Sequence, residues 1–164
     1  MLFKRTALAL AALSISLISS CTFPPEYVSK SDTREKIEMI MKLIKCEDKN
    51  ALIDCFSPKI KELRRFELEN EIDDMYSILG GKIVSHDKPE NCGYEVETVN
   101  SGDISLHISS PDVENVITDS GNRFRFSITY IVIDDENPEN IGIRQILIFD
   151  EEENKCLLNI DGEK

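Results

Sequence analysis

Residues 123–134 read RFRFSITYIVID. Aromatic and β-branched side chains dominate this run, and Phe124, Phe126 and Ile128 alternate with polar residues, as in a half-buried β-strand. Residues 113–119 form a similar run, and Ser120-Gly121-Asn122 between the two is a turn sequence. The two runs therefore predict an antiparallel hairpin.

Further strands are predicted on both sides of this hairpin. They cover residues 82–86, 94–99, 104–109, 141–149 and 156–160. In the long strand, Ile131 and Ile133 fall on the face opposite to the aromatic side chains, so parts of both faces are apolar. The second apolar face must be shielded from water, and three alternatives remain open: a partner chain in a homodimer, the N-terminal segment, or curvature of the sheet.

The apolar residues upstream of the strands recur at helical spacing. A first helix should begin at the cap residues Ser31 and Asp32, and a second should run over residues 48–56. Ser57-Pro58 should open a third. The inward residues expected on these three are Ile37, Ile40, Met41, Ile44, Leu52, Cys55, Phe56, Ile60 and Leu63.

A longer helix is predicted over residues 67–79, and Gly80-Gly81 should end it. Its inward residues are Leu68, Ile72, Met75, Tyr76 and Leu79. Helices followed by antiparallel strands indicate the α+β class. We expect one domain over residues 31–164, with N-terminal helices packed on a curved antiparallel sheet.

Composition limits the function. The chain has 164 residues, 41% of them hydrophobic, which suits one packed domain. Acids outnumber Lys and Arg by 31 to 19, for a net charge of -12. Nucleic acid is therefore not an expected partner, because phosphate binding needs a basic face. The overall charge also disfavours electrostatic docking to anionic lipid.

The N-terminal residues resemble a lipoprotein signal. Lys4 and Arg5 precede the uncharged stretch 6–18, which is too short to span a bilayer as a helix. Leu17-Ile18-Ser19-Ser20-Cys21 resembles the bacterial lipobox, which implies acylation of the Cys21 thiol and cleavage before it. We expect residues 1–20 to be a signal peptide and residues 21–30 a tether. The domain would then lie on the extracytoplasmic face of the cell membrane.

Four other cysteines, Cys46, Cys55, Cys92 and Cys156, leave two alternatives open. An exported chain could pair them in two disulfides. Buried thiols in the core are the other alternative, since Cys46 and Cys55 fall on apolar helix positions. Their spacing does not match the close ligand pairs of a zinc site.

The order of elements resembles the nuclear transport factor 2 (NTF2)-like, cone-shaped fold, which is also described as cystatin-like. More narrowly, the chain resembles an uncharacterised family of Gram-positive bacterial lipoproteins built on that fold. The resemblance covers roughly residues 33–160 and depends on three motifs. They are Gly80-Gly81-Lys82-Ile83-Val84-Ser85, residues 126–134, and Glu136-Asn137-Pro138-Glu139-Asn140-Ile141-Gly142. It implies no activity, because members of that family have none assigned.

The sequence contains no recognisable catalytic, nucleotide-binding or metalloprotease motif. No catalytic residue, metal or cofactor is therefore assigned. His86 at a strand end and His107 on a polar strand position should both face solvent. Tyr76 and Tyr130 lie on inward stripes and are the candidate pocket residues. The acids at 134–136 suggest either a calcium site or a solvated turn, and Pro138 at a ligand position favours the turn.

Three functions remain open. The first is a surface module that binds a small ligand or an envelope protein. The second is a cone-fold enzyme, which needs a buried acid or His beside Tyr76 or Tyr130. The third is a structural envelope accessory domain with a filled core and an exposed apolar face at Ile131 and Ile133. We expect the binding module, with enzymatic activity the least favoured.

Overall fold

The computed structural model describes residues 30–90, 95–100 and 102–162, apart from the side chains of residues 30–32 and 95. Three helices come first: α1 (Lys30–Lys45), α2 (Lys49–Asp54) and α3 (Pro58–Leu79). An antiparallel sheet follows, so the α+β class is confirmed. Its strands are β1 (Ile83–Ser85), β2 (Glu95–Asn100), β3 (Asp103–Ser109), β4 (Asp112–Thr118), β5 (Arg123–Asp134), β6 (Gly142–Asp150) and β7 (Cys156–Asp161). A 3-10 turn, Pro138–Asn140, lies between β5 and β6, so not every helical element precedes the sheet.

Local chemistry explains most of the helix boundaries. The Asp48 side chain caps α2 by accepting a hydrogen bond from the Ala51 backbone N–H at 3.1 Å. Ser57 caps α3 in the same way through the Ile60 N–H at 3.3 Å. These caps satisfy backbone donors that have no partner within the helix. Gly80 ends α3 with φ of 62°, as predicted, whereas α1 already begins at Lys30.

The structure joins the predicted third and fourth helices into α3, with a break at Arg64. The backbone there has φ of -138° and ψ of 23°, which is not helical. Ile60 is buried as expected, but Leu63 is 68% exposed, so its prediction as an inward residue was wrong.

The long strand β5 organises the sheet. Both β3 and β4 pair with one edge of β5, and β6 pairs with the other. The outer partners are β2 on β3, β1 on β4, and β7 on β6. Only Ser110-Pro111 separates β3 from β4, so this pair forms one interrupted strand along β5. The predicted hairpin of β4 and β5 is confirmed.

The hydrophobic core fills the space between the helices and one face of the sheet. Phe124, Phe126 and Ile128 of β5 contribute side chains that are at most 4% exposed. Their main helical partners in the cluster are Ile37, Ile40, Met41, Ile44, Leu52, Ile53, Phe56, Ile60, Leu68, Ile72, Met75 and Leu79. Burial of this many large apolar side chains is the main stabilising contribution to the fold.

The opposite face of β5 is more covered than the sequence suggests. Ile131 is 7% exposed in the single chain, and Ile133 is half-buried. The expected exposed apolar face at these two residues is therefore absent. No partner chain is needed to shield Ile131 from water.

Candidate functional site

Tyr76 lies on α3 beside the turn between α1 and α2. Its ring packs against the core, and its hydroxyl has no hydrogen-bond partner among the described residues. Burial raises the pKa of Tyr76 to about 12, and the nearby charges of Glu47, Asp48 and Asp73 add to this effect. A phenol with so high a pKa holds its proton firmly at neutral pH, so Tyr76 is poorly suited to acid–base chemistry there.

Tyr130 lies elsewhere, on β5 next to the first half of α1. The Lys36 ammonium lies 5.1 Å from the centre of the Tyr130 ring, a cation–π contact. Tyr76 is instead influenced by Glu47, just beyond the far end of α1. At a helical rise of about 1.5 Å per residue, these two neighbourhoods are separated by most of the length of α1. Both tyrosines contact the core, but the structure does not bring them into one site.

Two shallow depressions are found in the part of the chain that the structure describes. One of about 360 Å³ lies near the end of α3, between Ile78, Asn122 and Asp150. The other, of about 550 Å³, lies between Glu38 on α1 and Pro89 after β1. Neither is lined by Tyr76 or Tyr130. A pocket at Tyr76 or Tyr130 stays a prediction.

The structure corrects the prediction for both histidines. His107 is 1% exposed, because β3 lies between β2 and β5, and His107 is paired with Glu97 on one side and Ile133 on the other. Its Nε2 lies 3.9 Å from Glu97 Oε1. The His86 side chain is only 15% exposed, and its Nε2 lies 4.0 Å from Glu38 Oε2. Alternation along one strand cannot reveal this cover, since it comes from neighbouring elements.

Asp134 closes the loop after β5. Its Oδ1 accepts the Asn137 backbone N–H at 2.9 Å, and its Oδ2 accepts the Asn140 side-chain amide at 2.8 Å. Burial tends to raise the pKa of Asp134, but these hydrogen bonds outweigh it and hold the pKa below its ordinary value. Both carboxylate oxygens thus serve the turn. Within residues 33–90, 96–100 and 102–162, no three His, Cys, Asp or Glu side chains form a metal-binding group.

The cysteines do not form the two-disulfide arrangement. Cys46 and Cys156 carry free thiols at the surface. Burial in the core, the other alternative, does not apply to Cys46, which follows the last residue of α1 and is exposed. The half-buried Cys55 donates from Sγ to the Ala51 carbonyl at 3.3 Å. Cys92 and the predicted lipidation site Cys21 lie outside the described residues.

The most exposed large apolar side chains lie on the first half of α3. Leu63 is 68% exposed and Phe66 is 72% exposed. Lys59, Lys61 and Arg65 flank them, and we call these five residues the Leu63–Phe66 surface. The sequence did not predict this surface. One signal was available, because Phe66 lies outside all of the predicted inward stripes.

The comparison with protein families identifies the chain. Residues 39–151, from within α1 to just past β6, match the model of a domain of unknown function, DUF5104. The chain belongs to the DUF5104 family. This agrees with the resemblance to an uncharacterised family. No curated protein matches the sequence.

The region that matches the DUF5104 model contains the candidate pocket residues Tyr76 and Tyr130, both histidines and the Leu63–Phe66 surface. It excludes the N-terminal residues with the lipobox-like sequence. Among the described residues, no helix is long and apolar enough to cross a membrane.

Proposed function

We propose that this DUF5104 protein is an extracytoplasmic lipoprotein, held on the cell membrane by acyl chains on Cys21. The support is the sequence before the domain: the positive Lys4 and Arg5, the short apolar stretch 6–18 and the lipobox-like residues up to Cys21. Several acyl chains give firm membrane attachment, since each buried methylene group contributes about 0.8 kcal/mol.

We further propose that the domain has the NTF2-like cone. The helices lie against one face of the sheet, as that fold requires. The interruption at Ser110-Pro111 and the register shifts between β3, β4 and β5 are devices that bend strands. Curvature of this kind supports the cone assignment.

The domain's proposed role is to bind a partner through its outer surface. One observation supports this most directly: apolar side chains fill the space between helices and sheet, where an internal ligand would lie. Among the described residues, the large apolar side chains with the highest exposed fractions are instead on the outside, at Leu63 and Phe66, followed by Val99 at 61%. Large exposed apolar groups are typical of interaction sites.

The enzyme alternative receives less support. The acids that influence Tyr76 lie near the surface, and Glu47 and Asp73 are exposed. Near Tyr130, the buried Asp134 uses its oxygens to hold its own loop. His107 is paired with Ile133, on the face of β5 opposite to that of Tyr130. A buried acid or imidazole beside the Tyr76 hydroxyl is thus lacking in the described part of the chain.

The anchor is tested by metabolic labelling with a radiolabelled fatty acid in a producing bacterium. The wild-type chain should be labelled and fractionate with membranes, whereas C21A should lose the label and leave the membrane fraction. C46A is the matched control, because Cys46 carries an exposed thiol and should leave labelling unchanged. Persistent labelling of C21A would overturn the proposed anchor.

The surface-binding role is tested against an internal site with a fluorescent apolar probe such as anilinonaphthalene sulfonate. We expect no saturable binding to the native full chain, because its core is filled. A saturable site lost in Y130F but retained in V84A would instead support a ligand cavity inside the cone.

A further inference from the structure

We infer that the Leu63–Phe66 surface rests on the lipid bilayer, so that the domain is held in one orientation on the membrane. This inference deepens the proposed function and rests on the anchor at Cys21. It also differs from the expectation that overall acidity keeps the whole domain away from lipid, since it concerns one local surface.

The first step of the argument is where the chain enters the domain. The first half of α1 lies next to Tyr130, because the ammonium group of Lys36 contacts the Tyr130 ring. Tyr130 is paired with Ile143, and the Ile143 carbonyl accepts the Ser57 backbone N–H at 3.3 Å, directly before α3. The helices α1 and α3 therefore begin at the same end of the domain, which we call the helix-start end.

The second step is the reach of the tether. Nine residues lead from Cys21 to Lys30, and a fully extended chain spans at most about 3.3–3.6 Å per residue. The start of α1 can therefore lie no more than about 30 Å from the acylated residue. An anchored domain presents its helix-start end to the bilayer more readily than the opposite end.

The third step is the position and chemistry of the Leu63–Phe66 surface. It lies on the first half of α3, where the Arg64 guanidinium donates to the Asp161 carbonyl at the end of β7. Phe and Leu side chains bury well at the boundary between headgroups and acyl chains. Lys59 beside them can extend its charged end toward phosphates while its stem remains in the apolar layer, whereas Lys61 Nζ donates to the Asp54 carbonyl at 3.0 Å.

Local charge is consistent with this orientation. Residues 59–66 carry four basic side chains and one acid, in a chain whose net charge is -12. Arg65 is paired with Glu69 at 3.4 Å, and the acids of the loop at 135–139 lie near the start of α3. Charge alone therefore does not select this surface. The exposed apolar side chains do, and the basic ones reduce its repulsion from anionic lipid relative to a surface with the overall charge of the chain.

The absence of tryptophan from the chain allows a direct experiment. F66W places a single fluorescent reporter on the surface, and V84W is the matched control, since Val84 is 50% exposed on β1 at the opposite end. The full chain of each variant is purified from bacterial membranes and reconstituted in phosphatidylcholine–phosphatidylglycerol vesicles. We expect emission from F66W to shift to shorter wavelength and to be quenched by brominated lipid, with V84W unchanged.

Equal emission from F66W and V84W in vesicles would overturn the inference. So would a shift of F66W that occurs without lipid and grows with protein concentration, which indicates a second copy. A shift seen in native membranes but absent from pure lipid vesicles would indicate a protein partner and would overturn it as well.

The mass of the N-terminal peptide separates the two proposals. If the N-terminal peptide is acylated but the emission of F66W does not shift, the anchor is supported and the proposed orientation is overturned. If the peptide is not acylated, the anchor is overturned. The same vesicles are then added to the unacylated chain, and an unshifted F66W emission in that mixture overturns the proposed orientation as well.

Discussion

Gly142, the first residue of β6, lies against the backbone of Ser57, the cap of α3. A Cβ atom at position 142 would come within 2.7 Å of the Ser57 nitrogen, and φ at Gly142 is 138°. Backbone atoms cannot yield as a flexible side chain can, and this φ strains any other residue. The contact joins the start of α3 to the sheet with no room for a side chain.

We expect G142A to lower the free energy of unfolding by about 2–3 kcal/mol or more, through strain and collision together. Denaturant unfolding measures this loss. G121A is the control, because Gly121 also has positive φ, at 88°, but its Cβ would meet nothing within 4 Å. That variant should lose only about 1 kcal/mol. Equal losses in the two variants would show that the contact with Ser57 is unimportant.

Arg64 should contribute more to stability than its neighbour Arg65. The Arg64 side chain is 12% exposed, donates to the Asp161 carbonyl and pairs with Glu71 at 2.9 Å. R64A leaves these groups without their charged partner and should cost about 1.5–3 kcal/mol. R65A removes an exposed pair with Glu69 and should change stability by less than about 1 kcal/mol. Similar effects of the two substitutions on chemical unfolding would contradict this assignment.

Tyr76 should make stability depend on pH in the alkaline range. Its pKa in the native state, about 12, lies above the ordinary value of 10.0, so the native state holds this proton more tightly than the unfolded state. Its contribution is therefore complete below pH 10 and is lost as pH rises from 10 to 12. Y76F should flatten the decline in stability over that range.

The same substitution has an expected effect at neutral pH. Because the Tyr76 hydroxyl has no hydrogen-bond partner among the described residues, Y76F should change the free energy of unfolding by less than about 1 kcal/mol. In a tyrosinate absorbance titration, Y76F should remove a transition near pH 12. Persistence of that transition in Y76F would show that it belongs to another residue.

Asp134 should make stability depend on pH in the acid range. Its pKa is lowered in the native state, so its contribution is present above about pH 4 and is lost as pH falls below that value. D134N should cost about 1–2 kcal/mol at pH 7, since an amide cannot accept both hydrogen bonds from the loop. It should also lose less stability on acidification, as measured by thermal unfolding.

D135N is the matched control for this prediction, because Asp135 is the next residue and its side chain is exposed. It should leave both the stability at pH 7 and the acid transition nearly unchanged. A larger effect for D135N than for D134N would contradict the role assigned to Asp134.

The sequence predicted those parts of the fold that depend on local patterns. The hairpin of β4 and β5 follows from alternation and a turn sequence, and the start and end of α3 follow from Ser57-Pro58 and Gly80. Each of these signals acts within a few residues. The α+β class followed from the order of such elements along the chain.

The sequence failed where distant residues decide the outcome. Leu63 is exposed next to Arg64, where α3 breaks, and the Arg64 partner Asp161 is 97 residues away in the chain. His107 is buried at a position paired with Ile133, which is distant in the chain. Tyr76 and Tyr130 do contact the core, but the spacing along α1 that separates them is a property of the packed structure.

The position of β5 also constrains when the domain can fold. Residues 123–134 pair with three other strands and provide the aromatic side of the core, so the helices have little to pack against until most of the chain is available. A chain that emerges residue by residue therefore lacks its full core until β5 has emerged. This late completion of the core is compatible with the export proposed above, in which the chain crosses the membrane before it acquires its shape.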